Sequence, residues 1–540
     1  MLNFNSHRSA VYGRSGMVAA SQPLAVAAGL LALGAGGTAA DAAIATAAAL
    51  NVTEPASTGL GGDAFALYFE ASTRKVTALN GSGRAPRKLT LERLQREGLR
   101  QSLPQYHPYT VTVPGAAAAW CDLTARFGRL PLAASLAPAI HLAEEGFPVA
   151  PLTALFWQYS AKGQLNASLN GRELTIDGRG PSAGELFRNP GLARTLRRLA
   201  EGGKDAYYQG EIAEGIVAIL AEAGGCMALD DLAQHTSTWV EPLAVDYRGL
   251  RVYECPPNGQ GVAALLALNL LEGFDLGRIP PLSAARLHLE IEAMRLAFAD
   301  ARRFVADPDL APAPLEALLA PEYTRRRRAL IQPERALPWV EHGTPLGSSD
   351  TVYLSVVDGE GNACSFINSN YMGFGTGIVP RGWGFCLQNR GHNFSLDPQH
   401  PNALAPGKRP YHTIIPAMAT QAESGDLYAS FGVMGGFMQP QGHVQVFSAL
   451  VDDGLDPQAA LDRPRFCIAQ DDPRGAVSLE EGILPEVMAR LAEMGHPVTP
   501  VGGLERSLFG RGQIIRRDPE SGVLWAGSDP RADGCAMALG

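Results

Sequence analysis

The chain of 540 residues is 46% apolar and 18% charged, long enough for a sizeable core and too rich in apolar side chains to remain disordered. Its 45 basic and 54 acidic side chains leave a formal charge of -9, which excludes nucleic acid as a partner for the surface as a whole. Seven cysteines, Cys121, Cys226, Cys255, Cys364, Cys386, Cys467 and Cys535, are odd in number and form no CxxC pair, so reduced thiols in a cytoplasmic protein are expected rather than a disulfide framework.

Residues 1–13 read as a loosely held leader and residues 17–21 as a short strand. Arg8 and Arg14 ahead of an apolar stretch at 24–33 have the outline of a signal peptide, but that stretch is Ala/Gly-rich and a second helix follows at 39–50 with Asp41 inside it. No secretion signal is read there, and Thr38 is placed to cap the second helix. No segment holds 18 uninterrupted apolar residues, so no transmembrane helix is expected.

Residues 64–69 and 75–79 form a predicted hairpin around the turn Ala71-Ser72-Thr73-Arg74. A short strand is expected at 110–113, running through Pro114-Gly115 into a helix at 116–127, with further helices at 130–145, ended by Gly146, and at 212–223. A strand at 250–253 leads through the tight loop 256–261 into a helix at 262–271. The clearest amphipathic helix spans 284–305, capped by Ser283, with Leu287, Ile291, Met294 and Phe298 on the core face. Glu290, Glu292, Arg295, Asp300 and Arg303 are expected to supply its polar surface. Residues 308–350 carry seven prolines and the run Arg325 to Arg328, a composition that predicts a linker with a solvated basic helix end.

That linker delivers the chain to Gly347-Ser348-Ser349-Asp350, a small polar loop, and then to a strand over 351–358 that returns through Gly359 and Gly361 as a hairpin arm at 363–367. Later, a strand at 428–433 ends near Gly435-Gly436 and a helix is read at 442–450. Mixed helices and antiparallel hairpins fit stacked sheets between helical layers, an α/β (α+β) architecture.

Thr351 to Asp358 with Gly361-Asn362, Phe374-Gly375-Thr376-Gly377-Ile378-Val379, Lys408-Arg409-Pro410, Gly435-Gly436 and Ala526-Gly527-Ser528-Asp529-Pro530-Arg531 resemble the small subunit of the γ-glutamyltransferase family of N-terminal nucleophile hydrolases. The likeness runs without a gap from Thr351 to Phe394, and Gly16 to Ala19 and Gly61 to Phe65 match within the mature fold. It implies a four-layer αββα sandwich shared by a large subunit, 1–350, and a small subunit, 351–540, made by cleavage of Asp350-Thr351. The result is an αβ heterodimer, with pairing of heterodimers left open.

A threonine hydroxyl is a poor nucleophile at neutral pH and needs a base close by. An N-terminal threonine carries one, an α-amine with a pKa of roughly 7.7 to 8.0. The resemblance assigns Thr351 as nucleophile, Gly435 and Gly436 as oxyanion donors, and Ser369, eighteen residues on, as a hydroxyl that supports the nucleophile. Where the family grips a glutamyl α-amine with Asn, Gln and Asp, this chain has Tyr371, Arg390 and Asn393. The family's carboxylate-binding arginine falls on Ser82, with Arg84 nearby as a substitute, and its paired serines fall on His412 and Thr413.

Arginine in place of acceptors favours an anion over a cation. A small amide whose acyl part carries a carboxylate, oxamate-like or glutaryl-like, is the expected substrate. The stretches around Tyr371, Arg390, Asn402 and Gln439 are similar to the branch with oxamate amidohydrolases and acylases. A γ-glutamyltransferase or glutathione hydrolase, and a non-catalytic relative acting as a binding module, are the alternatives. No Gly-x-Ser-x-Gly elbow, nucleotide loop or His-Glu-x-x-His motif is found, and no cofactor or metal is expected.

Overall fold

The computed structural model describes residues 8–338, 351–469 and 475–540. Two seven-stranded sheets dominate it. One runs edge to edge through Val11–Gly13, Leu524–Ser528, Arg511–Arg517, Leu427–Met434, Ala417–Gln421, Leu250–Glu254 and Leu243–Tyr247. The other runs through Cys535–Ala538, Gly16–Ala20, Val352–Asp358, Ala363–Ser369, Asp63–Glu70, Lys75–Gly81 and Thr238–Val240. Within both, neighbours are antiparallel. Each sheet mixes strands from before and after residue 351.

The sheets face each other across a core that includes Met17, Phe65, Leu67, Tyr353, Val357, Ile367, Met418 and Ile515. Helices cover both outer faces. Pro23–Gly34, Ala39–Thr53 and Ala116–Phe127 pack on one sheet, and Gly261–Leu271, Ala284–Phe304 and Met438–Val451 on the other. The strand Val352–Asp358 explains the layering at residue level. Tyr353 and Val357 enter the inter-sheet core while Val352, Leu354 and Val356 enter the helical side, so alternation buries both faces. The result is the αββα sandwich that the resemblance implies.

Local chemistry accounts for the helix behind that strand. Thr38 accepts from the Asp41 N–H and Asp41 returns a bond to the Thr38 N–H, a capping box at the start of Ala39–Thr53. The helix is mostly alanine, which lets it approach Pro23–Gly34 closely: a Cβ on Gly29 would lie against Thr46 Oγ1.

Several expectations need correction. Val11–Gly13 is a sheet strand rather than part of a loose leader, paired with Leu524–Ser528. Residues 110–113 do not pair as a strand; a short 3₁₀ turn, Pro108–Thr110, takes their start. The Ala284–Phe304 helix is buried on nearly all sides, and Arg286–Glu290 and Arg295–Glu292 ion pairs satisfy its charges internally. The proline-rich stretch contains two helices, Leu315–Leu319 and Pro321–Arg328. Its arginine run is partly tied down: Arg327 pairs with Asp300, and Arg328 donates to the Asn269 and Leu270 carbonyls. Among the described residues no helix is long and apolar enough to cross a membrane.

Candidate active site

The site lies where three adjacent strands meet at one end of a sheet. In the hairpin register Val352 faces Asn368, and Ser369 faces Asp63 on the next strand. Thr351, Ser369 and Asp63 therefore share one edge, and all three are fully buried. Asp350 lies outside the described residues.

The Thr351 hydroxyl donates to Ser369 Oγ at 3.0 Å. Ser369 Oγ also accepts the Tyr371 backbone N–H at 2.8 Å and Arg390 Nη2 at 3.1 Å. An oxygen that accepts a guanidinium N–H is a weak base, so Ser369 orients the threonine and does not deprotonate it. Tyr371 adopts φ +80°, a left-handed conformation rare for a bulky residue, which brings its N–H back onto Ser369.

Arg390 opens a 3₁₀ turn, Arg390–Asn393, and is wholly buried. Nη1 donates to Thr413 Oγ1 at 2.6 Å, and the guanidinium lies 4.4 Å from the centre of the Tyr371 ring. Burial pulls its pKa down to about 10, so it remains a cation at neutral pH. No carboxylate forms an ion pair with it among the described residues. Asn393 donates to the Tyr411 carbonyl, and burial raises the Tyr371 phenol's pKa against the opposing effects of Arg390 and Asn393.

His412 is turned to a different task. Its Nδ1 accepts the Ile414 N–H, so Nε2 carries the proton and donates to Asp63 at 2.9 Å. Burial and the Arg390 charge push its pKa down to about 3 and leave the ring neutral. The other Asp63 oxygen accepts the Gly83 and Gly115 N–H groups and Gln388 Nε2. Asp63 thus fixes four separate segments around the strand that follows Thr351. Arg84 is partly exposed and ion-paired with Asp309 at 3.6 Å, and no described contact ties it to the Thr351 cluster. Ser82 is buried and spends its hydroxyl on Asn80.

Gly435 and Gly436 form the turn between Leu427–Met434 and the Met438–Val451 helix, with φ +134° and +61°. Their N–H groups meet no acceptor among the described residues and stand at the positive end of a 14-residue helix, where negative charge is stabilised. Across the inter-sheet core Ser355 bonds to Ser430 and the Tyr353 ring fills the space a Cβ on Gly432 would occupy. Ser430 and Gly432 lie on the strand that ends at Met434, directly before the glycine turn. Gln260 joins the halves of the site, since its Nε2 donates to the Thr413 carbonyl at 2.7 Å and the Gly436 carbonyl at 2.9 Å. Thr351, Ser369, Arg390, Thr413, Gln260 and Gly436 form one continuous hydrogen-bonded chain. Asp63 and Gln260 were missed in the sequence; the only signal was the Gly61-Gly62-Asp63 stretch, an acid opening an apolar strand.

A family model described as gamma-glutamyltranspeptidase matches residues 25–539. The chain belongs to that family. The glutathione hydrolase-like YwrD proenzyme of Bacillus subtilis is 36% identical over 532 residues, spanning 98% of this chain and 99% of the relative. The oxamate amidohydrolase proenzyme of Klebsiella pneumoniae is 34% identical, spanning 96% of this chain and 98% of its own length. Among solved structures, a cephalosporin acylase from Bacillus halodurans superposes with a TM-score of 0.93 at 48% identity, covering all of this chain and 98% of that one. As a gamma-glutamyltranspeptidase family member the protein is an enzyme, a hydrolase of the N-terminal nucleophile type. Among the described residues no cluster of His, Cys, Asp and Glu could hold a metal ion.

Proposed function

We propose that the chain cleaves itself between Asp350 and Thr351 and then hydrolyses a small amide whose acyl part ends in a carboxylate, oxamate-like or glutaryl-like. In the first step Thr351 Oγ attacks the Asp350 carbonyl, the peptide shifts to an ester, and water opens it to leave residues 1–350 and 351–540 as two chains. Thr351 then holds hydroxyl and α-amine together. In turnover the amine takes the hydroxyl proton while Oγ attacks the substrate carbonyl, and the oxyanion is met by the Gly435 and Gly436 N–H groups. The tetrahedral intermediate collapses as the ammonium returns its proton to the leaving amine. Water then hydrolyses the acyl-enzyme.

One observation carries the substrate class: a buried guanidinium, one hydroxyl away from Thr351, has no carboxylate partner among the described residues. Leaving a buried charge balanced only at a distance, by Asp63 beyond His412, is costly, and a substrate carboxylate would relieve it. The same charge would repel a γ-glutamyl ammonium, which disfavours glutathione as the substrate. The oxamate and acylase relatives fit the reading at the level of names.

Intact mass and N-terminal sequencing of wild type and Thr351→Ala test the cleavage; a wild-type chain active while whole overturns it. Assays of oxamate, glutaryl amides and γ-glutamyl amides in parallel test the substrate. Turnover of γ-glutamyl compounds alone would sink the assignment to Arg390.

A further inference from the structure

Behind the glycine turn lies a fully buried charge network that the chemistry above does not use. Asp529 follows the strand Leu524–Ser528, and its Oδ2 accepts the Gly512 N–H at 2.8 Å and Arg465 Nη2 at 2.7 Å. Its Oδ1 accepts the Arg531 N–H and Arg531 Nη1. Arg465 reaches on with Nη1 to the Phe509 and Gly510 carbonyls at 3.0 and 3.3 Å. Arg531 is bidentate on Glu480, which also takes Arg506. Asp529, Glu480, Arg465 and Arg531 are all buried.

What the network grips is the backing of the oxyanion turn. Gly512 pairs with Val433 and Arg511 with Met434, the last two residues before Gly435. Gly510, at φ +73°, is pressed against that turn: a Cβ there would lie 2.5 Å from the Met434 carbonyl and 3.2 Å from Met438. A Cβ on Gly435 would in turn meet the Gly510 backbone at 3.1 Å. Glycines have no side chains with which to fix their own N–H directions, yet oxyanion donors act only when preorganised to fractions of an ångström.

We infer that Asp529 is a positioning residue for the oxyanion donors, acting through Arg465 and the backbone of residues 509–512; this rests on the role proposed above for Gly435 and Gly436. Asparagine at this position would aim an amide N–H at a guanidinium or at the Gly512 N–H. The 509–512 segment, and with it the glycine turn, would shift.

The test uses processed enzyme, with kcat normalised to the cleaved fraction measured by intact mass, on Asp529→Asn and on Arg465→Lys. The lysine variant keeps the charge but cannot reach both carbonyls and Asp529 together. Two probes separate positioning from general damage when the substrate is a glutaryl amide. 4-Boronobutanoate forms a tetrahedral adduct on Thr351 Oγ that fills the oxyanion position, whereas glutarate engages only the carboxylate site. We expect kcat to fall at least about tenfold with KM within twofold, boronate affinity to fall in step, and glutarate affinity to stay within twofold. Equal loss for both probes, or unchanged kcat in a folded variant, overturns the inference. Gly436→Ala serves as the control: if it keeps full kcat, the oxyanion reading itself fails.

Discussion

At the scale of single residues, two predictions follow from Arg390 and the threonine amine. Arg390→Gln keeps a donor but removes the charge, so a carboxylate-bearing substrate should lose about 1.5–3 kcal/mol of binding, on the order of ten- to a hundredfold in kcat/KM. An unchanged kcat/KM would place the carboxylate elsewhere. The α-amine works as a base only when unprotonated, so kcat/KM should rise with pH through roughly 8. Arg390 loses its charge as the pH passes about 10, so the profile should fall again there, and Arg390→Gln should lose that falling limb. The residues legible in the sequence are those with chemistry of their own: a hydroxyl opening a strand, a Gly-Gly turn, an arginine where acceptors stood. Asp63, Gln260 and Asp529 were not legible as site residues. Their work is to hold backbone groups of segments far away in the chain, Asp63 reaching His412 and Gln388, and nothing local marks such a partner.

At the scale of elements, Gly432 tests how closely the two sheets register near Thr351. A methyl group there would lie 2.6 Å from the Tyr353 ring, two residues after Thr351. Gly432→Ala should therefore lower kcat by displacing the start of that strand while the protein still folds; an active, unperturbed variant would mean the layers have slack. Thr38→Ala should cost about 1 kcal/mol, seen as a lower thermal midpoint, because the cap also donates to the Phe127 carbonyl. Elements defined by their own residues were legible: the Thr38 and Ser283 caps, the hairpins at 64–79 and 351–367, and the helices at 116–127, 262–271 and 284–305. Those defined by a partner were not. Val11–Gly13 is three residues long and becomes a strand only because Leu524–Ser528 lies beside it. Residues 110–113 have β-branched side chains but join no strand ladder, Val113 donating only a single N–H to the Arg84 carbonyl, so propensity is overridden by tertiary context. The Ala284–Phe304 helix shows why charge alone does not mark a surface, since Glu290 and Glu292 are buried opposite their own arginines.

At the scale of the whole molecule, buried imidazoles make folding sensitive to acid. Burial pushes the pKa values of His235 and His412 from 6.5 down to about 3. Between those values the unfolded chain binds more protons, so stability should fall as the pH drops below about 6.5, by roughly 1.4 kcal/mol per pH unit for each ring. Thermal midpoints from pH 7 to 4 would measure this, and His235→Gln should remove one ring's share; an unaltered slope would contradict it. The buried His443–Glu254 pair adds little, because together they hold one proton whichever carries it. The mixing of strands from both sides of residue 351 within each sheet has a different kind of outcome. Neither piece of a cut chain owns either seven-stranded sheet complete, so they part only by unravelling together. Recovery from heating would then be bimolecular: severed halves must find each other again by diffusion, and recovery on cooling should climb with protein concentration. An uncut Thr351→Ala chain keeps its halves joined, and its recovery should be indifferent to dilution.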